Sequence, residues 1–96
     1  MAFIVFENGK RLGEVENWSQ REDPPTYKTF LGKTALLKPA NNECTFVSPK
    51  PVRRKSILKV INDSPGTARV EYTVEVLKAV GGTEVTAKIL ETKPLA

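Results

Sequence analysis

The sequence predicts an all-β protein, a single small antiparallel sandwich or open barrel of about seven strands. Three observations carry this. No window of eleven or more residues keeps apolar spacing at three and four without glycine or proline breaking it, so no helix is expected. Val70, Tyr72, Val74 and Val76 alternate with Arg69, Glu71, Thr73 and Glu75, a period of two that only a strand supports. Turn chemistry recurs along the whole chain, at Asn8-Gly9, Asn41-Asn42, residues 62–67 and Gly81-Gly82.

The first element is an N-terminal hairpin, residues 2–6 and 10–16. Ala2 to Phe6 is rich in β-branched and aromatic residues, and Asn8-Gly9 suits a type I′ turn with positive φ at both central residues. A two-residue turn sets Glu7 opposite Lys10, Phe6 opposite Arg11 and Val5 opposite Leu12. Gly13 weakens the return strand or marks a bulge. Trp18 closes this unit as a core or lid aromatic. Residues 21–25, ending in Pro24-Pro25, read as a stiff polar connector, either a turn between sheets or an exposed arm. Residues 27–31, 34–37 and 44–47 read as three short strands, and Pro49 and Pro51 make a rigid entry to the C-terminal half.

That half is a three-stranded meander over residues 51–61, 68–80 and 83–92. A two-residue Gly81-Gly82 turn pairs Val76 with Ala87, Val74 with Ile89 and Glu75 with Lys88. Setting Val60 opposite Val70 pairs Leu58 with Tyr72, Lys59 with Glu71 and Lys55 with Glu75. Both registers keep apolar residues on one face and opposite charges on the other.

With 96 residues the chain makes one domain, 1–96. No apolar run approaches a membrane span, and the short apolar start lacks the flanks of a signal peptide. A cytoplasmic or virion setting without membrane contact is therefore expected. Cys44 is the single cysteine and histidine is absent, which removes the usual general base and the usual metal ligands. Cys44, in an apolar strand and with no activating base, reads as a buried small hydrophobe. The acidic pairs Glu14 with Glu16 and Glu22 with Asp23 have no recognisable nucleophile beside them and read as solvated carboxylates. No catalytic residue, metal site or cofactor is expected.

Net charge is +4, and by halves of the chain the excess lies in residues 49–96. There Lys50, Arg53, Arg54, Lys55 and Lys59 run without an acid among them, a candidate contact for anions or a nucleic-acid backbone. The paired register neutralises Lys55 and Lys59 and leaves Lys50, Arg53 and Arg54 as the true excess. A small domain with long strands and sheet edges also gains from pairing with copies of itself or with a partner. The leading expectation is a non-catalytic, self-assembling or partner-binding structural subunit that works through its sheet edges. Trp18, Pro24 and Pro25 are its candidate contacts. The layout is of the kind a viral shell or tail subunit uses, an analogy of architecture only. The alternative is a nucleic-acid-binding protein using the 50–59 segment.

Overall fold

The computed structural model describes residues 2–64, 66 and 68–95, and within them every regular element is a β-strand. There are eight: β1 (Phe3–Glu7), β2 (Lys10–Asp23), β3 (Thr26–Phe30), β4 (Lys33–Lys38), β5 (Asn41–Val47), β6 (Ile57–Asn62), β7 (Arg69–Val80) and β8 (Glu84–Leu95). Six of them form one antiparallel sheet in the order β1-β2-β5-β8-β7-β6, and β1 pairs with β6 to close it into a barrel. The remaining two, β3 and β4, form a separate hairpin.

The β1–β2 turn has the expected geometry, with φ of 52° at Asn8 and 79° at Gly9. Glu7 pairs with Lys10 and Phe6 with Arg11, after which the register slips by one residue, so that Val5 faces Gly13 and Phe3 faces Val15. The bulge falls where Gly13 weakens the strand. A Cβ at Gly13 would stand 3.0 Å from Pro49, so the glycine also lets the 48–56 loop lie close. The slip sets Phe3 and Val15 together inside the barrel, which the unbulged register does not.

β2 runs seven residues past the expected end at 16, to Asp23. Asn17 adopts φ of 56° and the β2–β5 register shifts beside it, turning Trp18 inward. Its ring stacks on Phe3 at 4.8 Å and Phe46 at 5.7 Å and leans on Tyr72 at 5.2 Å, closing one side of the core. The expected connector at 21–23 is thereby drawn into the β2–β5 ladder.

The core is filled mainly by β-branched side chains. Val5, Leu58, Val60, Val74 and Val76 are almost fully buried, with Phe3, Val15, Cys44, Phe46, Val85, Ala87 and Ile89 around them. Compact residues of this kind suit the narrow lumen of a small barrel.

The meander is shorter at its start than expected. Residues 51–56 form a loop, and β6 begins only at Ile57. Lys55 takes φ of 72°, a left-handed turn conformation, and its N–H donates to the Val76 carbonyl at 2.7 Å. Val52 is buried, its N–H donating to the Gly82 carbonyl at 2.8 Å, so the loop plugs the barrel end. The β6–β7 register is offset by two residues from the expected one: Val60 faces Tyr72, Leu58 faces Val74 and Lys59 faces Thr73. An even offset keeps the faces correct. The β7–β8 pairs Val76–Ala87, Val74–Ile89 and Glu75–Lys88 form as expected. They do so through two compensating departures, a three-residue turn at 81–83 and a bulge at Leu77.

The hairpin departs most from the body of the protein. Every residue from 24 to 40 is exposed, and β3 and β4 contact no other strand. The radius of gyration is 15.8 Å and the longest dimension 53 Å. A compact chain of this length would have a radius of about 12.5 Å.

Gly82 tests the plug. A Cβ there would lie 2.9 Å from the Cβ of Pro51, at φ of +82°, whereas one at Gly81 meets open space at φ of +63°. Gly81→Ala should lose about 1–2 kcal/mol from its left-handed backbone alone. Gly82→Ala should lose a further ~1–3 kcal/mol from the clash. Urea denaturation of both variants measures the difference.

Candidate functional site

The exposed hairpin is built by continuing one ladder past the barrel. β2 and β5 pair as far as Asp23 with Asn41, and the same two chain directions resume as β3 and β4 at Thr26 with Lys38. Between the two ladders lie Pro24, Pro25 and Pro39. Proline has no N–H to donate, so the pairing breaks there and the backbone is stiffened. These three prolines form the root of a projecting arm.

The arm carries apolar side chains on both faces. Tyr27 pairs with Leu36 on one, beside Thr29 and Thr34, whose hydroxyls meet at 2.9 Å. Phe30, Ala35 and Leu37 share the other with Lys28 and Lys33, and these five line one shallow concavity. Phe30 is 70% exposed, Leu31 86% and Leu37 62%. The tip is a two-residue turn, Leu31-Gly32, with φ of 52° and 75°. Leucine is a poor choice for that position, which favours asparagine, aspartate or glycine. The same chain places Asn8-Gly9 at its other two-residue turn.

Charge follows the same division. Lys28, Lys33 and Lys38 lie on the arm, and none of the eleven acids does, so three of the four units of net charge are in residues 26–38. Counting by halves of the chain hides this, because the acids of β2 offset the arm's lysines. The acid-free stretch with lysines on both strands was the available sequence signal. Exposure of its apolar residues was not readable.

Among the residues expected to form a basic contact, the structure gathers four and separates one. Lys50, Arg53, Arg54 and Lys55 all lie exposed in the 48–56 loop over one barrel end. The loop is held by the Ser48 hydroxyl, which donates to the Lys50 carbonyl at 2.5 Å. Lys59 sits apart on β6. Its ammonium donates to Glu71 at 3.1 Å and to the Thr73 hydroxyl at 3.0 Å, so it is neutralised diagonally. Lys55 does not face Glu75, because the two-residue offset of β6 against β7 sets Ile57 opposite Glu75 and the strand ends before Lys55. Arg54 lies in a turn of the loop.

Trp18 is half-buried in its aromatic stack, and its ring serves the core. Pro24 and Pro25 are exposed at the arm's root. The expected contact through sheet edges is narrowed by closure. Within the described residues, pairing is one-sided on the hairpin, along β2 (with β1 only through residues 10–15, with β5 only through 16–23), on residues 76–80 of β7 past β6, and on residues 89–95 of β8 past β5.

No group of three or more acidic or cysteine side chains capable of holding a metal occurs among the described residues. No helix there is long and apolar enough to cross a membrane. No protein-family model matches the chain, and no characterised protein or solved structure matches it significantly.

Cys44 points into the core, and burial, with the neighbouring Glu43 charge, pushes its thiol from 9.0 up to about 12. At pH 8 its reaction with an aromatic disulfide reagent should be on the order of a hundredfold slower in the folded than in the denatured protein. The folded state holds this proton to higher pH than the unfolded one. Its contribution to stability is therefore complete below pH 9 and declines as pH rises toward 12. Cys44→Ala should remove that part of the alkaline decline, followed by denaturant melts across the range.

Proposed function

We propose that the chain is a non-catalytic structural subunit that self-assembles, with the β3–β4 arm as its coupling element. One observation carries this: a two-stranded hairpin with Tyr27, Phe30, Leu31, Leu36 and Leu37 exposed, in contact with no other strand. An isolated two-stranded hairpin is marginal in water and needs a further strand or surface to hold it. Leu31 sharpens the point, since it combines a left-handed backbone with the most exposed of the arm's five large apolar side chains. Strain of this kind is kept where the side chain has a task. A viral shell or tail is the assembly suggested by architecture alone.

A second reading rests on the basic loop. Lys50, Arg53, Arg54 and Lys55 are exposed together and make no ion pair among the described residues. The loop and the arm lie at opposite ends of the β2–β5 ladder, so contact with a phosphate backbone leaves the arm itself uncovered.

Light scattering at two concentrations tests the first reading. The parent chain should grow in mass as concentration rises, and a strict monomer would end the proposal. Leu31→Asn should leave the barrel's melting unchanged while raising the concentration needed for assembly at least tenfold. For the second reading, a labelled single-stranded oligonucleotide is titrated across a salt series. Affinity should fall steeply with salt and drop further in Arg53→Ala/Arg54→Ala, with a smaller salt slope. Binding that is absent at low salt, or unmoved by those substitutions, removes it.

A further inference from the structure

The surface that receives the arm can be read from the barrel's own registers. Pairing across β2, β5, β8 and β7 lines up outward-facing residues in rows. The row nearest the arm that crosses all four strands is Arg21, Glu43, Lys88, Glu75, with alternating signs that sum to zero. The row at the far end of the same ladders is Glu16, Val47, Glu84, Val80, where acid alternates with valine and no base intervenes. Shallow depressions lie on either side of Val47; their charged residues are Glu14, Glu16, Glu84 and Lys78, a net negative set. Val80 is 50% exposed, and none of the three glutamates makes an ion pair among the described residues.

We infer that this row is the docking site for the arm of a second copy of the chain, an inference that rests on the assembly reading above. The arm face with Lys28, Phe30, Lys33, Ala35 and Leu37 alternates base with apolar residue, and the row alternates acid with apolar residue. The spacings agree. Lys28 and Lys33 are diagonal neighbours, ~7–8 Å apart. Glu16 and Glu84 are two strands apart, ~9.5 Å. Flexible lysine side chains span the difference. Phe30 and Leu37 then face Val47 and Val80. Arm-to-arm pairing is opposed by three positive charges on each side with no acid to offset them.

The contact has a direction. Along β5, from Asn41 at the arm's root to Val47, the row lies ~20 Å away, at the opposite end of the ladder. Donor and acceptor are different surfaces of one subunit, so the interface is heterologous and propagates into a ring or a filament.

Two charge-reversed proteins test this. Lys28→Glu/Lys33→Glu disables the donor and Glu16→Lys/Glu84→Lys the acceptor; all four positions are exposed, and thermal melts verify folding. Each protein alone should assemble at least tenfold more weakly than the parent. Mixed, they should recover assembly with the two proteins alternating, since each arm then meets an acceptor row of opposite sign. An acceptor-reversed protein that assembles like the parent overturns the docking site while leaving arm-driven assembly standing. A parent that stays monomeric removes the assembly reading itself. Carbodiimide cross-linking of an isotopically mixed parent sample provides a check without variants. Bonds between Lys28 or Lys33 of one copy and Glu16 or Glu84 of another support the site. Bonds from those lysines only to other surfaces overturn it.

Discussion

Closure of the barrel by β1 is the constraint on which the rest of the structure depends. Five residues pair on both flanks, with β2 through Phe3–Val15 and with β6 through Val5–Val60. Without them, the other five barrel strands are an open sheet with two long edges and an uncovered core. With them, Phe3 and Val5 complete the lumen, and Phe3 supplies the platform on which Trp18 stacks. The 48–56 loop seals one end with Val52, held by the backbone of the β7–β8 turn. Each of these features presupposes that the sheet has already met itself.

Closure also decides where association can occur. A closed barrel offers few edges, so the apolar and edge-bearing chemistry is displaced onto the hairpin. Burying Phe30 and Leu37, the large side chains of the docking face, is worth about 3–6 kcal/mol gross. Rigid-body association costs about 4–15 kcal/mol. One arm in one site is therefore at best close to balance. A subunit that both gives and receives an arm makes two such contacts, and a closed ring adds a contact without a further association step. Under the proposed docking, assembly is sharp in concentration and reversible.

Much of the architecture was legible because local chemistry and pairing agree. Asn8-Gly9, Gly81-Gly82 and the alternation from Val70 to Val76 located two hairpins and the longest meander pairing. The departures have physical causes that composition does not display. At Asn17 a left-handed backbone shifts parity and carries β2 onward to Asp23. The left-handed Lys55 and the anchored Val52 convert 51–56 from strand to plug. The two-residue offset between β6 and β7 preserves both faces, so the face pattern could not reveal it. For the candidate site, the sequence named the prolines at the arm's root and the basic loop. It concealed the arm's surface, since Tyr27, Phe30, Leu36 and Leu37 read as core residues wherever exposure is unknown. The acceptor row depends on registers across four strands, which join residues as distant in sequence as Glu16 and Glu84.

The prolines between the two ladders also shape how this chain can vary. Pro24, Pro25 and Pro39 interrupt the hydrogen-bonded ribbon, so no side chain of the arm is needed to complete the barrel. Substitutions at Tyr27, Phe30 or Leu37 are free of the packing demands that bind Val60 or Val74. Such a chain can acquire new partners by altering residues 26–38 alone, while its fold stays under a separate, stricter selection.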